Sequence, residues 1–326
     1  MKKRWIAAGI VGMAALGLTI SAAVDPGKGA PPGRMIDVGG HALHIACSGD
    51  QSLRPTVVID AGAGVASPGY YWVQQGVAGF TRVCAYDRAG MGWSEPSSAS
   101  RDAVTIAREL HTLLQNAGEA GPYIVAGHSI GGLMMPIFAK LYPDETAGLV
   151  FIDTSHPDQN LETPPLGFAF LKGMEVASTI GLAPLVRKLM PLNQDLPRPI
   201  AISLSRLSAA PGTFSTMARE VKAFHTSASE ARKVTDLGDL PLIVLSAAAT
   251  HFSQGDPELQ KEVEIIETKN ALQKRTASLS TRGRQIILPQ ADHMSIVMNK
   301  QHAAHVVNAV REVMAAGSAQ RVDGEN

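Results

Sequence analysis

The chain has no excess of either charge: 29 Lys and Arg are matched by 29 Asp and Glu in 326 residues. After Lys2-Lys3-Arg4 no basic run occurs, so the electrostatic footprint of a nucleic-acid partner is missing. Cysteine is scarce, with Cys47 and Cys84 alone. Neither Cys-x-x-Cys nor His-Glu-x-x-His spacing occurs, which argues against a metal role. Internal repeats and low-complexity tracts are also lacking. What remains is ordinary for a globular protein, with 45% hydrophobic and 18% charged residues. The length suits one large domain or one domain with an insertion.

One long apolar run is present, at the N-terminus. Trp5 to Val24 carries no charge and follows Lys2, Lys3 and Arg4. Ser21-Ala22-Ala23 supplies the small residues of a signal-peptidase site. At about 20 residues the run is also long enough to stay in a bilayer as an anchor. Residues 1–23 therefore read as a signal peptide or a membrane anchor. Either puts the rest of the chain beyond the cytoplasmic membrane, exported or tethered to it. Residues 24–34, with Pro26, Pro31 and Pro32, read as a linker.

The most informative stretch is Tyr123–Gly132. Tyr123-Ile124-Val125-Ala126 reads as a short buried strand. Leu133, Met134, Ile137, Phe138 and Leu141 lay an apolar stripe along a helix. Between them lies Gly127-His128-Ser129-Ile130-Gly131, a Gly-x-Ser-x-Gly pentapeptide. A serine at so sharp a strand-to-helix turn needs small neighbours on both sides. The turn lifts its hydroxyl off the sheet edge, with the Ile130 N–H beside it. Pro136, early in the helix, predicts a local kink.

This segment resembles the nucleophile elbow of the α/β-hydrolase superfamily. The resemblance extends to Asp60-Ala61-Gly62-Ala63-Gly64, to Tyr86–Ser94 and to Asp292-His293, and so covers the chain from about Met35 onward. It implies a mostly parallel eight-stranded sheet with helices on both faces and a helical cap insertion. The superfamily's usual strand order would make the two cysteine-bearing strands neighbours. A disulfide and two buried thiols both stay open on that basis.

The hydrophobic pattern agrees with an alternating α/β chain. Strands are expected at 35–38, 42–46, 56–60, 82–86, 123–126, 148–152, 241–246 and 284–288. The first two form a hairpin across Gly39-Gly40. Helices are expected near Tyr70–Val77, over Ala103–Ala117 and over Ala304–Met314. From Thr154 to Asp239 no strand pattern appears, while Phe168–Val186 and Phe214–His225 read as helix. The expected organisation is a core over 35–153 and 240–316, a cap over 154–239 and a tail over 317–326.

Ser129 needs a base. His293 lies on the loop past the last strand, where the resemblance puts the base. His128 would point away from Ser129. His302 and His305 read as surface residues, whereas His156 and His251 would line the pocket. For the acid that orients the imidazole, Asp153 directly ends the strand before the cap. Asp256, after the next strand, is the alternative. The oxyanion donors implied by the resemblance are the Ala63 and Ile130 N–H groups, although Ala61 replaces the family's usual His. The loop Asp87–Ser94 reads as structural.

The expected activity is hydrolysis of a small to medium, hydrophobic carboxylic ester through an acyl-enzyme, without a cofactor. The same triad acting on an amide, a lactone or a carbon–carbon bond is the second reading. A non-catalytic binding protein on this fold is the third. Serine in the nucleophile position argues against the carboxylate-based epoxide hydrolases and dehalogenases.

Overall fold

The computed structural model describes residues 29–159 and 165–323. The N-terminal apolar run lies outside the described residues. The strands are β1 (Arg34–Asp37), β2 (Ala42–Ser48), β3 (Thr56–Asp60), β4 (Val83–Tyr86), β5 (Tyr123–His128), β6 (Thr146–Ile152), β7 (Leu242–Ala247) and β8 (Gly283–Leu288). They form one sheet in the order β1-β2-β4-β3-β5-β6-β7-β8. β1, β2 and β4 pair antiparallel, and the rest pair parallel. Asp37 Oδ1 accepts from both turn glycines of the opening hairpin, Gly39 and Gly40.

Alternation along the central strands builds two cores. Val57, Ile59, Ile124, Ala126, Val150 and Ile152 face one side. There α1 (Tyr71–Ala78), α10 (Ser295–Met298) and α11 (Lys300–Asp323) cover them. Val58, Tyr123, Val125, Leu149 and Phe151 face the other side. They lie under α2 (Ala103–Ala117) and α3 (Met134–Leu141). Both faces of the central parallel strands β3, β5, β6 and β7 are dry, which is why these strands read as unbroken apolar runs, whereas the edge strand β8 is partly exposed.

Cys47 and Cys84 oppose each other across β2 and β4, and a disulfide joins them. Between β6 and β7 the described residues hold helices and no strand. These are α4 (Pro165–Ala177), α5 (Ala183–Leu189), α6 (Arg198–Ser208), α7 (Pro211–Lys222) and α8 (Phe224–Ala231). α9 (Leu259–Ala277) connects β7 to β8.

Three expectations change. The helix read over Phe168–Val186 is broken by a wide turn at Ser178–Leu182, where Gly181 adopts φ 90°. Pro136 makes no kink inside a long helix. The chain leaves β5 as a 3₁₀ turn over Ser129–Leu133, and Pro136 falls in the first turn of α3, where a missing N–H is tolerated. The closing helix begins at Lys300 and runs to Asp323, so residues 317–323 continue it instead of forming a tail.

Candidate active site

The chemistry-bearing residues gather at the C-terminal edge of the sheet, the usual place in open α/β folds. Ser129 follows β5, Asp153 follows β6, and His293 lies on the loop after β8. Ser129 (φ 56°) and Asp153 (φ 43°) are the two non-glycine residues with positive φ among the described residues. Such backbone is strained and needs surroundings that enforce it. The turn at Ser129 is enforced by close approach. A Cβ on Gly127 would lie 2.1 Å from Met135 Sδ, and one on Gly131 would lie 2.7 Å from the Asp60 carbonyl oxygen. Any side chain at either position would push the elbow off the sheet.

Three side chains then meet in a line. His293 Nε2 lies 3.0 Å from Ser129 Oγ, and His293 Nδ1 lies 2.7 Å from Asp153 Oδ2. A carboxylate only accepts, so Nδ1 carries the proton and Nε2 is left to accept from the serine hydroxyl. Asp256, the other candidate acid, is exposed and accepts from the Glu258 N–H. Its side chain makes no bond to His293 among the described residues.

Asp153 is 2% exposed and heavily bonded. Its Oδ1 accepts from the Ala247 N–H at 3.0 Å and from Gln273 Nε2 at 3.2 Å. Lys269 Nζ lies 2.8 Å from Oδ1 and 3.0 Å from Oδ2. Burial pushes this carboxyl up, but the His293 hydrogen bond and the Lys269 charge outweigh it and hold it at about 2, from 3.8. A carboxyl depressed in the fold stabilises it fully above the unfolded value. That contribution, about 2 kcal/mol, is lost as pH falls through the folded value. Lys269→Met should raise the Asp153 pKa and move the acid-unfolding midpoint to higher pH. Urea unfolding over a pH series checks this, and an unchanged midpoint contradicts it.

The turn after β3 lies against this elbow. Gly62 packs on the elbow, since a Cβ there would lie 3.2 Å from Ser129 Cβ. The Ala63 N–H, next along this loop, meets no acceptor among the described residues. Ile130 follows the serine at the start of the 3₁₀ turn. The Gly62 N–H donates to Tyr70 Oη at 2.8 Å, and Tyr70 Oη lies 2.9 Å from His128 Nδ1. His128 Nε2 lies 2.9 Å from the His293 carbonyl, which only accepts, so Nε2 carries the proton. Nδ1 of the neutral ring then accepts from the Tyr70 hydroxyl. Burial, and the nearby His293 charge, push His128 down to about 3, so it stays neutral. One buried imidazole thus ties the Gly62 loop to the His293 loop.

Lys269, Gln273 and Tyr70 escape sequence reasoning. The one local signal is that Lys269 and Gln273 stand four apart on one face of α9. The remaining histidines differ in part from expectation. His302 is half-buried, with Nδ1 2.9 Å from Ser295 Oγ, because the closing helix starts early. His251 is exposed, pairs with Glu262 at 2.8 Å and, as expected, lines the cavity beside His293. His156 lines a separate cavity beside Asp158 and Arg275.

A cavity of about 420 Å³ opens beside His293, lined by Lys269, Phe252, Ile265 and Ile266 among others. A larger cleft, about 590 Å³, lies at the opposite edge of the sheet, where Pro55, Pro122 and Pro241 precede strands. It is remote from Ser129 and holds none of these groups.

Residues 57–310 match the family model described as the alpha/beta hydrolase family. The chain belongs to the α/β hydrolase family. The chain is 30% identical over 168 residues to the uncharacterized protein YbdG of Bacillus subtilis. That match covers 50% of each chain, so the chain spans half the length of this relative. Among solved structures it resembles Cfl2 of Burkholderia cenocepacia at TM-score 0.63 and 21% identity, covering 86% of this chain and 95% of that one. It also resembles a thermophilic esterase from Thermogutta terrifontis at TM-score 0.58 and 18% identity, covering 86% of this chain and 98% of that one. Likeness at such identity establishes the fold.

Proposed function

We propose that the protein is a serine hydrolase that cleaves carboxylic esters through an acyl-enzyme. The observation that carries the reading is the unbroken hydrogen-bond line from Ser129 Oγ through both nitrogens of His293 to Asp153. Ser129 Oγ attacks the ester carbonyl as its proton passes to His293 Nε2. The Asp153 carboxylate steadies the imidazolium that forms. The Ala63 and Ile130 N–H groups stabilise the oxyanion of the tetrahedral intermediate. That intermediate collapses, the C–O bond breaks, and Nε2 returns its proton to the leaving alcohol. Water then enters, gives a proton to Nε2, and attacks the acyl carbon. Collapse of the second intermediate restores the Ser129 hydroxyl and releases the carboxylic acid.

An apolar substrate suits the wall formed by Phe252, Ile265 and Ile266. The helices between β6 and β7 act as the cap, and Met217 of α7 reaches the Gly64 turn beside Ala63. A para-nitrophenyl series of increasing acyl length, run beside Ser129→Ala, tests the reading. Turnover is expected with the wild type and background hydrolysis with the variant. Equal rates for the two proteins would reject it.

A further inference from the structure

The helices α4 and α5 turn an apolar side outward. On α4 the exposed positions Leu166, Ala169, Phe170, Gly173 and Val176 recur at spacings of three and four, which puts them on one face. Leu166 is 80% exposed and Phe170 62% exposed. Ile180, Leu182, Leu185 and Leu189 continue the patch along the turn and α5. A helix on the surface of a globular protein normally gives its polar side to water. Here the inner side is apolar too, with Leu171, Met174 and Ala177 packed on Val186, Ala209 and Phe214.

Pro165–Leu189 spans 25 residues, and its most apolar 18-residue window has a mean hydropathy of 1.3, long and apolar enough to cross a membrane by length and composition. It lies along the domain, because its inner side packs on α7 and Gly181 interrupts it. An exposed apolar patch of this kind marks an interaction surface.

Two features indicate what covers it. The first is charge. From Pro165 to Leu189, Lys172, Arg187 and Lys188 stand against Glu175. That is three cations against one anion, a local +2 in a chain whose formal net charge is +0. The second is the N-terminal link. Gly29 is held to the domain, its carbonyl accepting from Trp93 Nε1 at 3.1 Å, so only residues 25–28 separate the described fold from the uncharged run Trp5–Val24. Four extended residues reach about 14 Å at most. With that run lodged in a bilayer, the domain stays at the lipid surface.

We propose that the outer face of α4 and α5 docks on an anionic phospholipid bilayer. Leu166, Phe170, Leu185 and Leu189 enter the boundary between headgroups and acyl chains, and the basic side chains meet the phosphates. α4 packs on α7, whose Met217 abuts the Gly64 turn, so the docked face lies one helix from the candidate oxyanion loop. The docking stands whatever bond Ser129 cleaves.

The test uses the full chain with vesicles of phosphatidylcholine and phosphatidylglycerol containing a phospholipid with a photoreactive diazirine at its acyl terminus. After irradiation and digestion, lipid adducts are located by mass spectrometry. Adducts within Pro165–Leu189 are expected, with a lower yield when phosphatidylglycerol is omitted. The combined variant Leu166→Glu, Phe170→Glu, Leu185→Glu should lose them while labelling elsewhere persists. Adducts confined to the N-terminal run would overturn the proposal. So would a face shielded by a second copy of the chain or by that run, seen as protein–protein cross-links through α4. The wild-type adduct map decides the matter even where the variant misfolds.

Discussion

Asp153→Asn is expected to lower kcat on a para-nitrophenyl ester by about 10⁴-fold. The side chain is nearly isosteric, so the loss would come from the proton inventory. Asp153 Oδ2 accepts the proton of His293 Nδ1 at 2.7 Å. An asparagine amide can turn its N–H₂ toward that nitrogen and favour the other tautomer. Nε2 would then carry a proton and could not accept one from Ser129. The imidazolium would also lose its counter-charge. Asp256→Asn is the matched control, because Asp256 is exposed and bonded to the Glu258 N–H. It should leave turnover unchanged. Steady-state kinetics on both variants, with circular dichroism to verify folding, makes the comparison. A larger loss in Asp256→Asn would reverse the assignment of the acid.

Arg88→Met should destabilise the fold by about 3–5 kcal/mol. Arg88 is 2% exposed and joins three parts of the molecule. Its Nη1 reaches Asp60 Oδ1 at 2.7 Å at the end of β3, and its Nε reaches Glu220 Oε1 at 2.7 Å on α7. Nη1 also donates to the Ala61 carbonyl, at the root of the candidate oxyanion loop. Removing the cation leaves two buried carboxylates facing each other without compensation. Urea unfolding measures the loss, and a change below about 1 kcal/mol would mean that water or rearrangement takes over its role. The same variant should loosen the Ala61–Gly64 turn, so turnover should fall even where the protein stays folded.

These two residues also mark how far the sequence could be read. Asp153 stands directly at the end of an apolar strand, and its position relative to β6 was legible as a local pattern. The eight strands were legible for the same reason: β3, β5, β6 and β7 are buried on both faces and appear as short apolar runs between turn signals. Gly127 and Gly131 mark the elbow because the turn leaves no room for a Cβ at either.

Arg88 was legible only as part of a glycine-containing loop. Its partner Glu220 is 132 residues away on a helix whose orientation no local pattern fixes. Lys269 is 116 residues from Asp153, and Tyr70 is 58 residues from His128. Such pairs arise from packing among elements, so only the assembled fold brings them together. The outward apolar face of α4 escaped notice for a related reason. Its residues suit a buried helix, and the sequence does not say that nothing described covers them.

The most direct test of the central claim is mass-spectrometric mapping of the site labelled by a fluorophosphonate. The account predicts one adduct, on Ser129, formed by the wild type and suppressed in His293→Ala. An unlabelled Ser129 in folded protein, or equal labelling without the imidazole, would contradict it.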